Sequence, residues 1–225
     1  MYIVLLGPPG SGKGTQGAIL SRKLGLSHLS TGDLFRGIFD QPDHPLYKDV
    51  AVMKEGKLVS DEVVNKVVQH ALEEPEHASG VIFDGYPRTI AQAKSLDSYL
   101  ADRGKKVDFT LNFKVTREVL LHRLLGRRVC PKCRKVFHIR QGLQECDECR
   151  VPLVQREDDR EEVILKRFEE YRNQTAPLEA YYAREGFLIN LQITDPDTEP
   201  EDVQHEIMSI LSQYRFIDPL DHKWD

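Results

Sequence analysis

The chain opens on an apolar run, Tyr2-Ile3-Val4-Leu5-Leu6, that passes straight into Gly7-Pro8-Pro9-Gly10-Ser11-Gly12-Lys13-Gly14-Thr15. No other stretch restricts the fold as strongly. Glycines let a backbone curl until its N–H groups converge on one point, a following helix adds the positive end of its dipole, and a lysine adds a full charge. Such a loop holds phosphate when a strand feeds it and a helix leaves it, so it calls for an α/β core with a buried first strand. Gly10, Ser11, Gly12, Lys13, Gly14 and Thr15 are the expected phosphate contacts. The plainer reading is a glycine-rich strand-to-helix turn, and Lys13 with its flanking elements argues against it. In such loops the residue after the lysine is a hydroxyl that ligates magnesium. Here it is Gly14, with Thr15 next, which weakens the case for direct ligation of a metal by the loop.

Short apolar runs recur along the rest of the chain at 28–30, 81–84, 109–113 and 187–191. Helical patterns separate them, at 14–24, 61–73, 90–103, 117–125, 159–184 and 200–214. Strands alternating with crossover helices predict a doubly wound, five-stranded parallel sheet flanked by helices. The run Val81-Ile82-Phe83-Asp84 ends on a carboxylate at the sheet edge where the phosphates would sit, so Asp84 is expected to hold magnesium through its waters. Two segments break the alternation, 31–59 and 127–158, and both read as inserted subdomains. The expected division is therefore a core of 1–30, 60–126 and 159–225 with two inserts. The stretch 194–202 reads as a loop, and 215–225 has too little pattern to assign.

The second insert holds all four cysteines as two C-x-x-C pairs, Cys130-Pro131-Lys132-Cys133 and Cys146-Asp147-Glu148-Cys149. Each pair can wrap two thiolates around one tetrahedral ion, which predicts a structural zinc site with no open position. A disulfide pair or a redox dithiol are the rival readings. The first apolar run is too short and lacks the basic flank of a signal peptide, and no run approaches bilayer length, so a cytoplasmic location is expected. In that reducing compartment thiols are more often ligands than disulfides. A formal net charge of -5 argues against a general nucleic-acid or membrane binder. Arginines nevertheless cluster on both sides of the cysteines: Arg123, Arg127 and Arg128 before them, and Arg156, Arg160 and Arg167 after them.

The segments Ser30-Thr31-Gly32-Asp33-Leu34-Phe35-Arg36, Asp84-Gly85-Tyr86-Pro87-Arg88-Thr89 and Gly126-Arg127-Arg128 resemble, in order, the signature segments of adenylate kinases. The resemblance covers nearly the whole chain and implies that 31–59 is an AMP-binding insert and 127–158 a zinc-binding lid of the long form. It implies that Thr31, Arg36 and Arg88 hold AMP, the arginines taking its phosphate, and that Gln92 hydrogen-bonds the adenine edge. It implies that Lys57, Leu58, Val59, Gly85, Tyr86 and Pro87 close around the acceptor. Arg127, Arg156 and Arg167 are implied at the transferring phosphates, with Arg156 and Arg167 also reaching AMP. Arg123 is implied against the ATP adenine, and Val136 and Phe137 touch ATP from the lid. Asp158 and Asp159 resemble paired acids that orient arginines beside the magnesium, whereas Arg128 and Arg160 read as hinge or solvated charges.

The physics agrees with this carry-over. A monophosphate brings about two negative charges toward a donor carrying about four, and a dense set of guanidiniums offsets that repulsion. The implied reaction is the reversible transfer ATP + AMP = 2 ADP, with magnesium, Lys13, Asp84, Arg88, Arg127, Arg156 and Arg167 as the catalytic set. Expected partners are ATP, AMP and ADP, with no nucleic acid and no membrane, and the chain is expected to be a monomer. A monophosphate kinase for another base (UMP/CMP or GMP) is the nearest rival. A guanine-nucleotide switch lacks its Asn-Lys-x-Asp signature, since Asn65-Lys66 runs into Val67-Val68. A zinc-ribbon nucleic-acid binder is the third reading, and the acidic balance disfavours it.

Overall fold

The computed structural model describes residues 1–51, 59–185 and 187–214. At its centre lies a parallel sheet of five strands, β1 (Tyr2–Leu6), β2 (Ser27–Ser30), β3 (Val81–Asp84), β4 (Phe109–Val115) and β7 (Phe187–Ile193), in the order β2-β3-β1-β4-β7. The sheet is buried on both faces, which explains why its strands are continuously apolar rather than alternating. In β1, Ile3 and Leu5 pack on one side with Leu20 of α1 (Lys13–Leu24) and Val203, Ile207, Met208 and Leu211 of α9 (Pro200–Gln213). Val4 and Leu6 face the other side, against α4 (Asp61–Leu72), α5 (Ile90–Ala101) and α8 (Leu178–Glu185).

Four helices start on hydroxyl caps. Ser30 accepts from Asp33 N at the start of α2 (Thr31–Phe39), Ser60 from Val63 N before α4, Thr89 from Gln92 N before α5 and Thr116 from Val119 N before α6 (Arg117–Gly126). Each satisfies an amide that would otherwise have no intrahelical partner, a contribution of about 1 kcal/mol. The first insert contains α2 and the short α3 (Tyr47–Ala51), and it gathers its own small core of Ile38, Leu46 and Val50 over Val67 of α4. Neither helix is among those expected from periodicity. In the second insert, β5 (Arg127–Val129) pairs antiparallel with β6 (Val136–His138), and Cys130, Phe137 and Cys146 form its buried centre. The expected contacts Lys57 and Leu58, and the 215–225 tail, lie outside the described residues.

The single helix expected over 159–184 is a correction. It is divided into α7 (Glu161–Glu170), a π-helical turn Tyr171–Thr175, and α8. Ala176 N donates to Tyr171 O at 2.9 Å, one residue wider than an α-turn. Pro177 follows directly; it has no N–H to continue the ladder and its ring crowds the preceding turn. The break re-phases the chain so that Leu178 and Tyr182 enter the sheet core while α7 carries Arg167 over the opposite end.

Candidate functional site

The carboxyl ends of three neighbouring strands assemble the site. Register pairs Leu5 of β1 and Ser30 of β2 with Asp84 of β3, so the phosphate loop, Thr31 and Asp84 emerge side by side. The central strand β1 marks the switch point of the sheet, since β2 and β3 are laid down on one side of it and the chain then crosses over to place β4 and β7 on the other. Gly10 and Gly12 take φ of 84° and 98°, the left-handed region that glycine enters without cost. At Gly10 a Cβ would also meet Leu124 at 2.7 Å. Unlike the four hydroxyl-capped helices, α1 begins on Gly12 with no side-chain cap, which leaves its first N–H groups available to an anion.

Lys13 folds back over this loop, its Nζ donating to Gly7 O at 2.6 Å and Pro8 O at 3.0 Å. Burial pulls its pKa down to about 8; Asp84 acts in the opposite sense, and the charges of Arg88, Arg167 and Arg127 add to the lowering. Three arginines from three separate segments therefore converge on one lysine. Asp84 lies beside Gly14, where a Cβ would come to 3.2 Å of its Oδ2, so a side chain there would crowd the acid. Burial alone would raise the pKa of Asp84, but the His28 contact and the charges of Lys13 and Arg88 hold it below the usual carboxylate range. An ionised, half-buried carboxylate next to a phosphate loop suits a hydrated magnesium ion.

On the acceptor side, buried Thr31 donates its hydroxyl to Gly85 O at 3.0 Å, and Arg88 Nε donates to the same carbonyl at 2.9 Å. Gly85 adopts φ 76°, and a Cβ on it would lie 2.8 Å from Thr31 Oγ1, so both the turn and the close approach require glycine. Tyr86 and Pro87 are buried, with the Tyr86 hydroxyl donating to Asn65 Oδ1 at 2.7 Å; what they offer a ligand is backbone. Arg36 donates to Asp33 Oδ1 at 2.8 Å. Gln92 is buried and its amide is engaged on both ends, accepting from Arg88 N at 2.7 Å and donating to Asp61 Oδ1 at 2.6 Å. Val59 is half-buried at the edge of the described insert.

The lid side is organised by two acids. Buried Asp159 takes Arg127 bidentately, Nε at 2.7 Å and Nη2 at 2.5 Å. Asp158 pairs with Arg167 Nη1 at 3.0 Å. The fork fixes the Arg127 guanidinium plane, whereas Arg167 is held through Nη1 alone, which also donates to Asp158 O at 3.0 Å. Arg156 is half-buried, and its pKa is lowered by burial and then by the charges of Arg127 and Arg36. Arg123 Nη1 approaches Ser11 O at 3.5 Å, beside Gly12. Val136 is exposed, whereas Phe137 belongs to the lid's own core. Arg128 donates to the carbonyls of Leu125 and Arg127 at the end of α6, and Arg160 pairs with Glu157 on the surface.

All four cysteine Sγ atoms lie within 4.8 Å of one another, and Cys133 and Cys146 are 3.7 Å apart. Zinc–sulfur bonds of about 2.3 Å in a tetrahedron put sulfurs about 3.8 Å apart, whereas a disulfide needs about 2.05 Å. The four thiols are free of disulfides and fit a closed zinc site. The two pairs repeat one backbone design: Cys133 N donates to Cys130 Sγ and Cys149 N to Cys146 Sγ, each at 3.4 Å. Arg134 and Arg150 then turn through positive φ.

Several participants were not expected from sequence. Arg134 reaches from the lid to Asp33 and Asp40 of α2, both at 3.3 Å, and Arg140 pairs with Asp197 and Glu199 before α9. Asp61 and His28 brace Gln92 and Asp84 from behind. None of these carries a local motif; only the fold brings them to their partners.

A parallel α/β sheet with a phosphate loop at its switch point, an acid alongside and arginines converging from an insert defines a P-loop phosphotransferase. A family model described as adenylate kinase matches residues 5–187. The adenylate kinase of Thermoanaerobacter sp. (strain X514) is 42% identical over 217 residues, covering 94% of this chain and 98% of that protein. That of Moorella thermoacetica is 45% identical over 193 residues, covering 84% and 88%, and that of Thermotoga neapolitana 43% over 192 residues, covering 83% and 87%. The chain belongs to the adenylate kinase family, and it is a phosphotransferase. A monophosphate kinase acting on UMP, CMP or GMP is not favoured.

Proposed function

We propose that the chain catalyses ATP + AMP = 2 ADP by direct in-line transfer, with the γ-phosphoryl group passing from ATP at the phosphate loop to AMP held by the first insert. The observation that carries this reading is the convergence of Arg88, Arg127 and Arg167 on Lys13 at the uncapped start of α1. Such transfers need little covalent help, so positioning and charge stabilisation suffice. Lys13 and the loop amides take the β- and γ-phosphate oxygens, with Gly10 to Thr15 as the cradle and Arg123, Val136 and Phe137 toward the donor nucleoside. Arg36 and Arg88 clamp the AMP phosphate, while Thr31, Gly85 and Gln92 line the base. Arg127, Arg156 and Arg167 meet the charge that grows on the transferring group, and Asp158 and Asp159 hold them in place. Asp84 would hold a magnesium ion through its water shell, and the ion would supply charge neutralisation at the donor phosphates. Structural zinc on Cys130, Cys133, Cys146 and Cys149 organises 127–158 as a lid over a core of 1–30, 60–126 and 159–225.

No helix among the described residues is long and apolar enough to cross a membrane. On this reading the enzyme is cytoplasmic and acts on free nucleotides as a monomer. The direct test is a coupled ADP assay with MgATP against AMP, GMP, CMP and UMP. AMP is expected to be the preferred acceptor, and Arg88→Ala to lose AMP turnover by about 2–3 kcal/mol in kcat/KM while ATP binding alone is little changed. Turnover with another monophosphate above that with AMP overturns the reading, and near-normal AMP kinetics in Arg88→Ala removes that residue from the site.

A further inference from the structure

The Gln92 amide has two partners whose chemistry admits one orientation. Arg88 N, a backbone N–H, can only donate, and it reaches Gln92 Oε1 at 2.7 Å. The Asp61 carboxylate can only accept, and it takes Gln92 Nε2 at 2.6 Å. Exchanging oxygen and nitrogen would set Nε2 against an N–H and Oε1 against a carboxylate. At 4% exposure, water cannot relieve either clash. Asp61 is itself tethered, because its second oxygen accepts from Thr89 Oγ1 at 2.6 Å. Thr89 is the cap of α5, and the same hydroxyl accepts from Gln92 N at 3.1 Å. The bracket thus ties the start of α4 to the start of α5 around one side-chain amide.

Among the described residues each end of that amide keeps one unspent capacity, a lone pair on Oε1 and a proton on Nε2. Adenine offers an amino donor beside a ring-nitrogen acceptor. Hypoxanthine and guanine offer the reverse, a carbonyl acceptor beside an N–H donor. A glutamine free to flip pairs with either edge, whereas a locked one pairs with the first and opposes the second. We propose that Asp61 is a positioning residue that sets acceptor-base specificity by locking the Gln92 amide against the edge of 6-oxopurines. The proposal rests on the reading of Gln92 as the contact to the acceptor base. Asp61 touches no substrate; it acts through Gln92.

The test compares kcat/KM for AMP and for IMP, which carries the reversed edge without the extra amino group of GMP, with MgATP as donor. Asp61→Ala is expected to lower the AMP:IMP ratio about tenfold or more, because one of two opposing contacts against the flipped amide is gone, while KM for ATP stays within about twofold. Asp61→Asn can turn its own amide to present either an oxygen or an N–H, so it admits Gln92 in both orientations and, at unchanged size, should lower the ratio by about threefold or more. If Asp61→Ala does not fold, Asp61→Ser, also too short to reach Nε2, carries the same expectation. In a Gln92→Met background the Asp61 substitution should change the ratio no further. Parallel losses for AMP and IMP at constant ratio, or an Asp61→Asn ratio equal to that of the wild type, overturn the proposal. A Gln92→Met enzyme with the wild-type ratio instead removes Gln92 from the base, and the proposal with it.

Discussion

Lys13 spends its donors on the carbonyls of Gly7 and Pro8, and burial pulls its pKa down to about 8. Polyphosphate brings negative charge to the same ammonium and must raise that value. The sign follows: below about 8 the lysine is charged with or without ligand, while above it the free protein has lost a proton that the complex regains. ATP binding is therefore expected to take up a proton as pH rises through the free-state value, and affinity to fall over the same window. Calorimetric titration in buffers of different ionisation enthalpy measures the uptake directly, and Lys13→Met should abolish it. Equal heats in all buffers near that pH would mean that Lys13 is fully charged before ATP arrives. Residues of this kind were legible early, because glycines, lysine and flanking strand together leave few alternatives. Asp61 was not, since a lone acid at a helix start also reads as a favourable charge on the helix dipole and nothing nearby in sequence names its partner.

Among the elements, the lid depends most on one chemical contribution. Its buried centre is little more than Cys130, Phe137 and Cys146, too small to offset the conformational entropy of ordering 127–158. Metal binding must supply the difference, as in other small thiolate sites. Zinc analysis should give one ion per chain. Chelation or Cys130→Ser should unfold the lid and lower the first thermal transition while the five-stranded core melts separately. Metal-free protein with an ordered lid, or four freely reactive thiols in the native state, would contradict this. The cysteine spacing made the lid readable without a structure, and the apolar runs marked all five core strands, with the starts and ends of β1 and β3 read to the residue. The elements misread were those whose local pattern competes with tertiary demands. Helix α2 hides its Ser30 cap inside a glycine-containing ligand segment. The π-turn at Tyr171–Thr175 comes from Pro177 and the need to re-phase Leu178 and Tyr182, which charge and periodicity over 159–184 conceal.

On the scale of the whole molecule, the site draws its cations from bodies with separate cores. Lys13 at the start of α1 and Arg88 between β3 and α5 belong to the core, Arg36 to the first insert, and Arg127 and Arg156 to the two ends of the lid. Arg134 bridges the lid to Asp33 and Asp40, so the two inserts touch directly. These exposed pairs contribute little each, on the order of 0–1 kcal/mol, so ligand contacts rather than the bridges must decide how often the cleft is shut. A compound joining two adenosines through five phosphates engages both nucleotide sites at once and favours the shut form by the contacts it makes only there. Closure also keeps water from the transferring group. The most direct measurement is the distance between probes placed near Gly142 in the lid and Asp43 in the acceptor insert, with and without that compound. The distance should shorten and narrow in distribution on binding, with a weaker response in Arg156→Ala. A distance that stays fixed while the compound binds tightly would contradict closure, because the arginines would then form the same site whether or not substrates are present.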